Sequence, residues 1–351
     1  MRNKIFIFLL FIFYGCSVEK SKINVVSTES IEIEINEYVG NIVEGAGNYI
    51  YIYGLSKPLV RLDIFSGKID TIFFHKDGYI FSVNEKDGYL YFIINGILKR
   101  YGDGIKDICF LGKDIYFKFL NDELIISQEL SSMSDYFSLI NIKKKEKINN
   151  FGEMIEYPDE RFKKKLGYDR FTIPYPDFEW NIKGTLLVVY EYFFDRLKAY
   201  DVLTGKIIKT FGIEHKGWEL PPVIVSGKGR NKIFKVAKTP AAGIAISDKY
   251  IFICLEKYWL KHWKIVDKKY EDRMRKLYRK GFFFVDVYRK TDFSYIGTFF
   301  PLNDKNFFEK ELSLRLRKVK AENDSTLVFY LQDNKRERFF RKVKVVFNIK
   351  E

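Results

Sequence analysis

The stretch LKAYDVLTGKIIKTFG, residues 197–212, decides the fold. Period two puts Leu197, Ala199 and Asp201 on one face and Lys198, Tyr200 and Val202 on the other. β-Branched and aromatic side chains suit a pleated surface, and Thr204-Gly205 supplies a tight turn, so the stretch predicts a β-hairpin. The phrase returns as LVRLDIFSGKIDTIFF (59–74), YFSLINIKKKEKINNFG (136–152) and FFFVDVYRKTDFSYIGTFF (282–300). Each copy is a strand ending in Asp or Asn, a short polar turn and an aromatic-rich return strand.

A second hairpin phrase precedes the first each time. It reads NIVEGAGNYIYIYG (41–54), IFSVNEKDGYLYFII (80–94), IYFKFLNDELIISQE (115–129), FEWNIKGTLLVVYEY (178–192), GIAISDKYIFICLEK (243–257) and KVKAENDSTLVFYLQ (318–332). Its second strand is the more hydrophobic, as a buried middle strand should be. Two hairpins make a four-stranded antiparallel unit. Six copies of about 50 residues, all strand, predict an all-β six-bladed β-propeller over residues 29–351. A seventh blade hidden in 154–179 or 213–240 is the alternative. The last unit has only three strands of its own, ending with 338–349. The alternating run Ile31-Glu32-Ile33-Glu34-Ile35 is expected to pair with it and close the ring, leaving no open edge.

Turns inside the hairpins fall at one end of such a fold, and connections between hairpins or blades at the other. The long segments 153–178, 213–241 and 258–281 are all connections. They are expected on one face, where loops on a rigid scaffold usually carry function. They hold aromatic and basic residues in alternation: Arg170, Tyr175, Trp218, Trp259, Trp263, Lys268, Lys269 and Arg275. Such a mixture suits stacking on sugars or anchoring a protein partner, and equally pinning the loops to the propeller. Over 258–281 the residues Trp259, Trp263, Val266, Tyr270, Met274 and Leu277 recur at three or four, which predicts an amphipathic helix.

The first residues stand outside the repeat. Arg2 and Lys4 precede an apolar run, Ile5 to Tyr14, too short to remain as a bilayer span, so 1–15 reads as an export signal. Gly15-Cys16 at its end resembles the lipobox of bacterial lipoproteins, with Phe13 where that family prefers Leu. The resemblance implies a lipid on Cys16, with 16–28 as a tether, and Ser17 after it implies the outer membrane. With the six hairpin pairs, GIAISDKYIFI and LKAYDVLTGKIIKTFG, the chain resembles the TolB-like or NHL-like six-bladed propeller lipoproteins of Gram-negative bacteria. That resemblance implies a fold and says little of activity.

The formal net charge is +14. A basic exported protein points to anionic lipid, glycan or an acidic protein partner rather than nucleic acid. Cys109 and Cys254 sit in apolar runs of different repeats and are expected as free buried thiols. Three histidines, His75, His215 and His262, lie far apart, no Gly-x-Ser-x-Gly elbow occurs, and Ser226–Arg230 lacks the full phosphate-loop pattern. No cofactor is implied. Glu44, Asn84, Glu179, Asn181 and Glu322 fall on first strands but beside turns, where solvated groups are expected. The leading function is therefore a lipid-anchored, non-catalytic propeller that binds an envelope protein or glycan through its insertion-bearing face. A metal-dependent hydrolase or lyase with its site in the central channel is the alternative.

Overall fold

The computed structural model describes residues 22–34, 41–44, 49–54, 58–64, 66, 68–73, 80, 82–112, 114–129, 135–153, 178–191, 196–212, 223–226, 233–236, 241–256, 264–265, 283–301, 314–333 and 339–350. The first strand, β1 (Ile23–Glu34), pairs far along the chain. Blade one is β2 (Asn41–Glu44), β3 (Tyr49–Tyr53), β4 (Leu59–Asp63) and β5 (Ile69–Phe73). Blade two is β6 (Val83–Lys86), β7 (Tyr89–Ile94), β8 (Ile97–Gly102) and β9 (Gly104–Phe110). Blade three is β10 (Asp114–Phe119), β11 (Leu124–Glu129), β12 (Asp135–Asn141) and β13 (Glu146–Glu153). Blade four is β14 (Phe178–Lys183), β15 (Leu186–Glu191), β16 (Arg196–Asp201) and β17 (Lys206–Phe211).

Next come β18 (Val223–Ser226) and β19 (Ile233–Val236), outside the blades. Blade five is β20 (Ala241–Ile246), β21 (Tyr250–Glu256), β23 (Phe283–Arg289) and β24 (Tyr295–Phe299), with β22 (Lys264–Ile265) between its second and third strands. Blade six is β25 (Leu314–Asn323), β26 (Thr326–Asp333) and β27 (Phe339–Ile349), completed by β1. The fold is thus an all-β six-bladed propeller. The first strands of neighbouring blades touch one another (β14 with β20, β20 with β25, β25 with β2, β2 with β6), so they surround the axis.

Ring closure follows the sequence expectation. Ile31 lies opposite Lys342 and Ser30 opposite Val343. The strand starts earlier than its alternation shows, at Ile23 opposite Ile349. An outermost strand needs no continuous apolar face, and Val26 and Ile31 remain exposed at 59% and 40%. Hydrophobic burial reports the same ring. Each seam between adjacent blades holds its own apolar cluster, and Ile50 and Ile52 of blade one pack with Val328 and Tyr330 of blade six. The middle strands fill both of their faces, which is why they are the most hydrophobic runs.

Polar turn residues end the hairpins as their chemistry requires. Asp201 Oδ1 accepts from the Leu203 and Thr204 amides at 2.9 and 3.4 Å. Asn141 Oδ1 does the same for Lys143 and Lys144, at 3.1 and 2.9 Å. These are Asx turns, which satisfy amides that the ladder has released. Gly205 has φ of +69°, and a Cβ there would lie 2.8 Å from Phe151 Cβ of blade three. Blade five departs from the repeat. Arg289 occupies its strand end, and Asp292 caps the turn by accepting from the Ser294 amide at 2.9 Å. Cys109 and Cys254 are both buried.

The segment 213–241 does not supply a seventh blade. β18 and β19 form a hairpin whose third strand, β22, comes from 258–281, with Ile224 opposite Ile265 and Val225 opposite Lys264. Three short strands joined in this way are not a four-stranded blade. A single helix over 258–281, as expected, is not formed, because Lys264 and Ile265 are paired as strand. β-Branched Ile265 favours that geometry. The rest of that segment lies outside the described residues, as do 154–177.

Candidate functional site

Each blade runs from a first strand at the axis to a fourth at the rim, so its two hairpin turns share one face. Contacts between turns confirm this placement. Lys183 Nζ in the first turn of blade four meets Asp248 Oδ1 in the first turn of blade five at 2.6 Å. The Lys249 amide then donates to Asp324 Oδ1 of blade six at 2.9 Å, and Lys86 of blade two pairs with Asp122 of blade three. Connections occupy the opposite face. Two of the long ones, 213–241 and 258–281, pair with each other through β18 and β22. The residues expected to form a partner-binding face, Arg170, Tyr175, Trp218, Trp259, Trp263, Lys268, Lys269 and Arg275, lie outside the described residues, as does Cys16. So do His75, His215 and His262.

The connection side of blade four carries a buried charge cluster. Glu191, at the end of β15, is 2% exposed and is paired with both Arg196 and Lys198. Lys198 Nζ lies 3.1 Å from its carboxylate. Two cations around one carboxylate offset the desolvation that burying it costs. This cluster fixes the point where β15 turns into β16, beside the face that bears the insertions.

A second constellation surrounds the axis. Lys118 Nζ, on β10, donates to the Trp180 carbonyl at 3.1 Å and to Asn181 Oδ1 at 2.9 Å. It also lies 4.7 Å from the centre of the Trp180 ring. Asn181 Nδ2 passes the link on to the Ile244 carbonyl at 2.6 Å, so one chain of hydrogen bonds joins blades three, four and five. Asn84 Nδ2 donates to the Phe117 carbonyl at 2.8 Å and joins blade two to blade three. Asn84 and Asn181 are therefore bonded between blades and are not the solvated turn groups expected from their position. Asn side chains can replace the ladder bonds that adjacent first strands do not make with each other. Glu322 does behave as a turn residue, paired with Lys344 at 2.9 Å.

Burial pulls the Lys118 ammonium down to about 8, with the charge of Lys318 adding to that and the Glu179 carboxylate opposing it. Tyr116, two residues earlier, is pushed up by burial and then by Glu179. Tyr51 is pushed up to about 12 by burial and by the Glu85 carboxylate. An ammonium held by a carbonyl, an amide and an indole is suited to locking a seam. Among the described residues no three His, Cys, Asp or Glu gather as a metal site. Lys118 was legible only as a lone lysine in the apolar run IYFKFL; which groups it meets depends on blade geometry.

No protein-family model matches this chain, and no curated protein matches it. The class is accordingly defined by architecture alone: a six-bladed β-propeller, a fold that fits a non-catalytic binding role.

Proposed function

We propose that this protein is a lipid-anchored, non-catalytic β-propeller of the cell envelope, attached through Cys16 to the outer membrane. It binds a protein or glycan partner through its insertion-bearing face. One observation carries this reading: two separate connections meet in the small sheet of β18, β19 and β22, which belongs to no blade. Extra chain that leaves the blades at one end of a rigid ring and assembles its own sheet makes that end unlike the other. Its segments also hold the aromatic and basic residues suited to recognition. The TolB-like or NHL-like resemblance agrees with it. The channel-hydrolase reading is not favoured by any constellation described, since the first-strand carboxylate Glu179 has the Lys118 ammonium beside it.

Photo-crosslinking in cells tests the proposal. A reactive residue placed at Trp218 or Trp259 is expected to give a discrete protein or glycan adduct, and one at Lys144 on the turn face is not. Exchanging Lys268, Lys269 and Arg275 for Glu is expected to lower the yield several-fold, as added salt should. Equal yields from both faces, or yields indifferent to the charge reversal, would contradict it.

A further inference from the structure

The path of β1 determines which face of the propeller can reach a membrane. β25 and β26 meet at the turn Asn323–Thr326, on the turn face. β27 then starts at Phe339 on the connection face and returns to the turn face, where the Phe347 amide donates to the Ser325 carbonyl at 2.9 Å. β1 is antiparallel to it, with Ile23 opposite Ile349 and Glu34 opposite Phe339. The chain therefore joins the propeller from the turn face. The Lys350 amide donates to the Lys22 carbonyl at 2.8 Å, fixing both ends of the domain at that place.

We infer that the turn face is the membrane-apposed surface and that the insertion-bearing face is held away from the bilayer. This rests on the proposed lipid at Cys16. From Cys16 to Ile23 there are seven Cα steps, which reach about 24 Å at full extension. β1 has 12 residues and rises about 40 Å. To bring the opposite face to the lipid, the tether would have to run back along the full height of β1, which exceeds its reach. The molecule can tilt on its tether but cannot turn over.

The turn face carries exposed acids as well as lysines, among them Asp87, Asp103 and Asp292. Several of its acids are already engaged with lysines: Asp122 with Lys86, Glu123 with Lys143, Asp248 with Lys183. Lys22, Lys145, Lys206, Lys249 and Lys350 stand exposed on the same face, two of them where the chain joins the domain. Lysines near an anionic leaflet are attracted to it within a Debye length.

Full-length protein purified with its native N-terminus, and reconstituted on vesicles of phosphatidylethanolamine and phosphatidylglycerol carrying an acceptor dye on the lipid headgroup, tests this. Donor dyes are attached at Lys144→Cys on the turn face and, separately, at Asn95→Cys between β7 and β8 on the connection face. Transfer to the lipid is expected to be several-fold stronger from position 144. Equal or stronger transfer from position 95, in protein that floats with the vesicles, overturns the orientation while leaving the anchor standing. Protein that does not float, and whose N-terminal peptide carries no acyl mass, overturns the anchor and the orientation with it. Neutral vesicles separate the charge contribution: transfer from 144 that persists there shows that tether length alone sets the orientation.

Discussion

The two faces of this propeller handle charge in opposite ways. On the turn face, ion pairs cross from blade to blade in open solvent: Asp248 and Asp122 are 83% and 80% exposed at their side chains. On the connection side of blade four, Glu191 is enclosed with Lys198 at 3% and 6%. Exposed pairs contribute little to stability, whereas a buried carboxylate depends on its cations. The difference teaches where each face can vary. The turn face can exchange its charges without loss of fold, while the connection face needs fixed footings for its long insertions.

Removing the Glu191 carboxylate is the sharpest way to break this comparison. Glu191→Gln leaves Arg196 and Lys198 facing an amide and is expected to cost about 3 kcal/mol, read as a lower midpoint in urea melts. A variant as stable as the wild type would mean that the cluster is no footing. Lys118 gives a smaller, pH-dependent effect. Its folded value of about 8 lies below the ordinary 10.5, so between them the unfolded chain binds more protons. Wild-type stability from this group therefore rises as pH climbs through that window. Lys118→Met removes the dependence, so its stability relative to wild type is expected to fall between pH 8 and pH 10 in thermal melts. Parallel curves would remove the lysine from the buried seam. The smallest effect belongs to the turn face. Asp248→Asn is expected to stay within about 0.5 kcal/mol of wild type, and a larger loss would show that the two faces are held by similar forces.

Much of the fold was legible because it is written in local terms. The alternation in 197–212 and the Asp201 cap specify a hairpin without reference to the rest of the chain, and related hairpins form the outer strands of five blades. Closure was legible through the apolar alternation of residues 31–35. The earlier half of β1, VVSTES, was not, since an exposed rim strand needs no pattern. Blade five hid its turn because Asp286 resembles the Asp201 position yet is buried within β23 and bonded to Thr298. The axis groups were least legible. Asn84 and Asn181 lie beside turns in the sequence, and only the approach of neighbouring first strands makes them bridges. The pairing of β18 with β22 was likewise hidden, because it joins segments separated by an entire hairpin.

Ring closure by β1 supports both the architecture and the orientation, and a cross-strand disulfide tests it most directly. Ile31 and Lys342 are opposite one another, whereas Lys344 lies opposite Glu29. The account predicts that Ile31→Cys with Lys342→Cys oxidises readily within one molecule and raises the melting temperature by several degrees. The out-of-register pair, Ile31→Cys with Lys344→Cys, should remain reduced. Failure of the first pair, or equal oxidation of the second, would contradict the closure and the face assignment that depends on it.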